Sequence, residues 1–117
     1  MKIDKFEDIK AWQKARELVF FVYKTFKLNK DYRFRDQIQS AAVSIMNNIS
    51  EGFERRGDKE LSRFLYISKG SCGEVRSMSY IAMDLKYITI AEFNLINESS
   101  LEISRMLSGF IKSLNTA

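Results

Sequence analysis

The sequence predicts an all-α fold, an antiparallel up-down-up-down four-helix bundle, and three observations carry that prediction. Proline is absent and glycine occurs five times in 117 residues, so few positions interrupt a helix. Apolar residues recur at three- and four-residue spacing along four stretches. The segments between them are short and carry helix-capping residues. With 45% apolar and 29% charged residues the chain has an ordinary folded composition. Residues 1–117 read as one domain, long enough for a core without metal or disulfide staples.

The first helix is expected over 6–26, on a stripe of Ile9, Trp12, Ala15, Val19, Val22 and Phe26. Leu18, Phe20 and Phe21 widen the stripe beyond one face, which points to contact with another subunit. Asp4, Glu7 and Asp8 near its start and Lys24 and Lys27 near its end suit the helix dipole. Residues 28–32 form a loop, and Asp31 caps a second helix over 33–55. Gly57 is placed to make the left-handed turn ending that helix, with Asp58 capping the third. The third helix, 59–88, is carried by Leu61, Phe64, Leu65, Val75, Met78, Ala82 and Leu85. Residues 70–73, Gly-Ser-Cys-Gly, are unusual inside it, because a helical glycine costs about 1 kcal/mol relative to alanine. Close approach of a neighbouring helix accounts for them; a kink is the alternative. Cys72 reads as a small buried residue rather than a reactive thiol. Thr89 and Glu92 form a capping box that starts a fourth helix over 90–114. Phe93, Ile96, Ile103, Leu107, Phe110 and Leu114 carry it, and residues 113–117 are expected to fray.

The stretch 37–52 carries two neighbouring stripes when wound at about 100° per residue. Phe34, Ile38, Ala42, Ile45, Ile49 and Phe53 are apolar; Gln37, Ala41, Ser44, Asn48 and Glu51 are small or polar. Hydroxyls, amides and carboxylates beside a core stripe predict hydrogen bonds across a helix–helix seam. The expected partners are Ser71 and Glu74 of the third helix. A ligand or nucleic-acid site on the same residues is the competing reading.

Histidine is absent, which removes the usual general base, the Ser-His and Cys-His pairs and the commonest zinc ligand. No catalytic, cofactor or metal site is expected. One cysteine allows no internal disulfide and suits a reducing cytoplasm. No apolar run is long enough for a bilayer, the N-terminus lacks a signal-peptide core, and no membrane partner is expected. Net charge is +4, concentrated in residues 24–69.

Several of these residues resemble the bacterial four-helix bundle proteins encoded in 23S ribosomal RNA intervening sequences. The similarity runs through Phe6, Glu7 and Asp8, through Trp12 and Ala15, and through Asp36, Gln37 and Ile38. Its most specific part is the S-I-x-x-N-I-x-E-G pattern of residues 44–52, followed by Gly70, Ser71 and Glu74. The first loop lacks the proline common in relatives, and Cys72 and Gly73 depart from the usual pair. The resemblance implies a left-handed bundle, a ring-like homopentamer and no established enzymatic activity. A related branch serves as nucleic-acid-binding accessory proteins of diversity-generating retroelements.

Two charged ends follow from an antiparallel bundle. Lys24, Lys27, Lys30, Arg33, Arg35 and Lys86 gather at one, with Tyr32 among them as an aromatic surface for base stacking; Phe34 is expected to pack at the helix end, base stacking being its alternative. Arg55, Arg56 and Lys59 gather at the other, with Arg63 one turn away. The leading expectation is a non-enzymatic homo-oligomer that binds RNA or DNA, in association with the ribosome or elsewhere. The alternative is an adaptor whose assembly docks another protein. An enzymatic reading rests on Glu51 and Glu54 as a magnesium-binding E-x-x-E pair, but the matching E-x-x-D is absent because Ser77 follows Glu74.

Overall fold

The computed structural model describes residues 2–115. A 3-10 turn, Phe6–Asp8, precedes four helices: α1 Lys10–Phe26, α2 Tyr32–Glu54, α3 Asp58–Asp84 and α4 Ile90–Asn115. Each helix packs on the next in chain order and α4 closes back on α1, while neither diagonal pair meets. At about 1.5 Å per residue, the 27-residue α3 alone spans about 40 Å. The whole molecule measures 46 × 19 × 19 Å, so the helices lie side by side and alternate in direction. Among the described residues there is no strand. The result is the all-α four-helix bundle that the periodicity predicts.

Helix boundaries differ from the sequence reading where backbone geometry overrides side-chain preference. The first helix does not start at Phe6. Ile9 is extended (φ −75°, ψ 120°) and separates the 3-10 turn from α1. That break lets Ile9 bury itself in the core. Gly57 does not make the left-handed turn; Arg56 does, at φ 61°. Gly57 is extended instead and caps α3 through its backbone, its carbonyl accepting from Leu61 N at 2.9 Å. Asp58 is therefore the first helical residue rather than the cap. Likewise α3 stops at Asp84, four residues early, because Lys86 turns left-handed (φ 61°) and leaves Leu85 exposed. Asp31 caps α2, accepting from Phe34 N at 3.3 Å. Thr89 and Glu92 form the reciprocal capping box at 2.8 and 3.1 Å. At the C-terminus α4 continues to Asn115; residues 116 and 117 lie outside the described residues.

The core stripe of α1 keeps Ala15, Val22 and Phe26 of the expected line, with Ala11 and Leu18 buried where Trp12 and Val19 are only half-buried. Phe20, on the wider face, is 72% exposed. Among the inward residues are small ones, Ala41, Ala42 and Gly52 on α2 and Ser68, Ser71 and Cys72 on α3. Gly52 sets the helix separation. A Cβ on it would stand 2.6 Å from Phe64 Cβ, a distance the α3 backbone must move to relieve. The expected close approach at Gly70 and Gly73 is absent, since a Cβ on either meets nothing within 4 Å. Both face solvent, and α3 passes through them as one helix.

Polar side chains tie α2 to α3 along this contact. Ser71 Oγ donates to Ser44 Oγ at 3.0 Å. Asn48 does not cross to α3 as expected: its Nδ2 donates within α2, to the Ser44 carbonyl and hydroxyl at 2.8 and 2.9 Å. Gln37 Nε2 donates to Glu74 Oε2 at 3.3 Å. Ser68, which the sequence pattern did not single out, donates to the Ile45 carbonyl at 2.6 Å and is fully buried. Glu51 departs from the expected set: it accepts from Arg55 in its own helix at 2.9 Å. Burial pushes the Cys72 thiol up to about 12, keeping it protonated and unreactive in the folded chain.

Two outcomes follow. Gly52→Ala lowers stability by about 1–3 kcal/mol in urea denaturation, as overpacking does, whereas Gly109→Ala, which faces open space, raises it by up to about 1 kcal/mol. Asn48→Leu lowers the melting temperature, with a loss of roughly 1 kcal/mol from its hydrogen bonds to Ser44; an unchanged melt in that variant removes the structural role assigned to the seam.

Candidate nucleic-acid interface

The loop end is built by the residues that close α1–α2 and α3–α4. Phe34 packs between Phe26 and Tyr87, with ring centroids 5.7 and 5.5 Å away. Tyr87 Oη donates to Asp31 Oδ2 at 2.6 Å, pinning one loop to the other. Phe34 is thus helix-end packing, not a stacking surface. Tyr32 is exposed and its ring lies 4.7 Å under the Arg35 guanidinium.

Around this pinned pair stand Lys24, Lys27, Lys30, Arg33 and Lys86, all exposed, with Arg35 half-buried. Arg35 pairs with Asp36 at 3.2 Å; the other five make no ion pair among the described residues. The acids nearby are Asp31, Asp36, Asp84 and Glu92, so the end carries two more bases than acids.

The opposite end is different. Arg55 bridges Glu51 and Glu60 at 2.9 and 3.6 Å, and Arg63 grips Glu60 at 3.0 Å. Both guanidinium groups also lie over the Phe64 ring, at 5.0 and 4.6 Å. Arg56 sits over Phe53 at 5.6 Å, and Lys59 is exposed. The bases there, counting Lys2, Lys5, Lys10 and Lys112, number eight against seven acids: Asp4, Glu7, Asp8, Glu51, Glu54, Asp58 and Glu60. Arg55 and Arg63 are tied to carboxylates there, whereas five of the six bases of the loop end are not.

No cluster of three histidine, cysteine or carboxylate side chains suited to a metal occurs among the described residues. No helix of the described residues is long and apolar enough to cross a membrane.

Titration at the loop end follows from the Asp31–Tyr87 bond. The Tyr87 hydroxyl, then the Phe34 N–H and Arg33, hold the Asp31 carboxyl below its usual range, and the same bond raises the Tyr87 hydroxyl. The Asp31 contribution is present above the ordinary carboxylate value and is lost as pH falls through its lowered folded value. That of Tyr87 is present below the ordinary phenol value and is lost as pH rises through its raised one. Melting temperature against pH is therefore expected to fall at both extremes, and Tyr87→Phe to flatten the alkaline fall and weaken the acid one. The groups are exposed, so the shifts are small.

Comparison with known proteins places this geometry. No curated protein matches the chain. It is similar to a crystal structure described as a protein with unknown function from the S23 ribosomal protein family of Bacteroides thetaiotaomicron VPI-5482. The two share 24% identity over 87% of this chain and 98% of that one, with a TM-score of 0.81, a likeness of fold. The family model described as 23S rRNA-intervening sequence protein matches residues 7–109, covering all four helices. With that match spanning nearly the whole bundle, the chain belongs to the 23S rRNA-intervening sequence protein family.

Proposed function

We propose that this protein is a non-enzymatic, cytoplasmic, self-associating bundle that binds RNA or DNA phosphate through its loop end. One observation carries the reading: Lys24, Lys27, Lys30, Arg33 and Lys86 are exposed and free of ion pairs at one end, while Arg55 and Arg63 at the other are held by carboxylates. Unpaired bases release counterions when they meet phosphate, and affinity climbs steeply with each added contact. One protomer offers a handful of contacts; a ring of copies, the homopentamer that the family resemblance implies, multiplies them. Tyr32, exposed beside Arg35, adds a surface for an unpaired base.

Fluorescence anisotropy with a structured RNA at low and moderate salt tests this. Binding is expected at low salt and falls steeply as salt rises. Lys27→Glu with Lys30→Glu is expected to weaken it at least tenfold, whereas Lys59→Glu changes it little. No binding at low salt removes the reading. The exposed aromatic residues of α1 favour an adaptor instead if pull-downs recover one protein irrespective of nuclease treatment.

A further inference from the structure

The loop end exposes apolar groups as well as charges. Leu28, Tyr32, Leu85 and Ile90 are each more than half exposed, and each lies within three positions of Asp31 or Tyr87 in the chain. Because the Tyr87–Asp31 bond holds the two loops together, these four side chains share one end with the free bases. The opposite end has no counterpart. Among the described residues no large apolar side chain is exposed there, and Phe53 and Phe64 lie under the guanidinium groups of Arg56, Arg55 and Arg63. One exposed leucine is ordinary on any surface; four such groups set among bases at one end call for a ligand that covers both.

Tyr32 is the best prepared of the four. Arg35 lies over one face of its ring at 4.7 Å and is itself tied to Asp36 at 3.2 Å, so ring and guanidinium hold each other in place. The residue stays more than half exposed, which leaves the other face of the ring open. A base stacking there costs little further side-chain freedom. Most acids of this end are engaged: Asp31 with Tyr87, Asp36 with Arg35 and Glu92 with the Thr89 N–H, while Asp84 stays exposed.

Resting on the phosphate-binding reading above, we infer that the loop end takes an unpaired nucleic-acid strand in preference to a duplex. The strand's phosphates meet Lys27, Lys30, Arg33 and Lys86, one base stacks on Tyr32, and neighbouring bases cover Leu28, Leu85 and Ile90. A duplex meets only the first of these needs. Its base faces are stacked inside, and its grooves are read by a helix or ribbon that projects into them. This end is instead two short loops bound together, and a duplex docked on it buries the apolar groups against phosphate and sugar. An anionic lipid surface also suits bases beside apolar groups. Being flat, it presses the whole end, Asp84 included, against headgroups at once, whereas a flexible strand passes round Asp84.

Anisotropy of the intact chain with a labelled oligodeoxythymidine strand, and with its duplex with oligodeoxyadenosine, tests this at one low salt concentration. The duplex has the denser charge, so a purely electrostatic site prefers it. The single strand is expected to bind about tenfold more tightly than the duplex. Tyr32→Ala removes about tenfold of the single-strand affinity and leaves the duplex unchanged, with helical circular dichroism intact, and Tyr32→Phe binds as wild type does. Leu28→Ser, which alters no charge, also weakens the single strand alone. Equal or tighter binding of the duplex, or Tyr32→Ala and Leu28→Ser variants that bind the strand as wild type does, overturns the inference and leaves the phosphate reading standing. Binding of neither nucleic acid overturns both, and co-sedimentation with phosphatidylserine vesicles then assigns the end to a lipid surface.

Discussion

The close contact of α2 with α3 is the constraint on which the rest of the bundle depends. Gly52 has no room for a side chain because Phe64 occupies it, and this fixes how near the two axes run. Ala41, Ala42, Ser68 and Ser71 add small buried residues to the two helices, with Ser44 hydrogen-bonded across to Ser71. The hydroxyls then need partners, and Ser68 to Ile45 and Ser71 to Ser44 supply them. Apolar packing alone tolerates sliding; these bonds exist in one register, so they define the axial alignment of the pair.

Axial alignment decides what the ends look like. With α2 and α3 set, a three-residue turn through Arg55, Arg56 and Gly57 must reverse the chain, and Arg56 adopts the left-handed conformation to do so. At the far end the same alignment brings Tyr87 onto Asp31 and Phe34, locking two loops together. Lysines and arginines flanking those loops are then held on a rigid platform instead of on separate mobile segments. Their positive field faces outwards because the nearby acids are too few to neutralise it. At the Arg55 end Glu51 and Glu60 pair with Arg55 and Arg63 and absorb part of the charge.

The small residues of α3 show how one pattern serves two surfaces. Ser68, Ser71 and Cys72 face the core, and Gly70 and Gly73, interleaved with them, face solvent. Read as sequence, the run is a single weak point in a helix, with a kink as one outcome. In the bundle it divides by helical phase: the serines take hydrogen bonds inside, and the glycines leave a trough outside. The helix stays continuous because its inner half is packed throughout.

Helix number, order and approximate extent were legible because helical periodicity, capping residues and the absence of proline are local properties. Asp31 and the Thr89–Glu92 box lie where their chemistry puts them, and the apolar stripes of α2 and α4 face inwards as their spacing requires. The pairings of Ser44 with Ser71 and of Gln37 with Glu74 were also readable, since polar groups beside a core stripe must find partners. What the tertiary structure alone decided depends on packing between segments distant in the chain. The burial of Ala11 and Leu18 in place of Trp12 and Val19, the choice of Gly52 over Gly70 and Gly73 as the point of contact, and the turning of Asn48 to Ser44 and of Glu51 to Arg55 are of this kind. A stripe three to four residues apart fixes a helix face only to within a neighbouring position; the opposing helix, by filling the space, selects one.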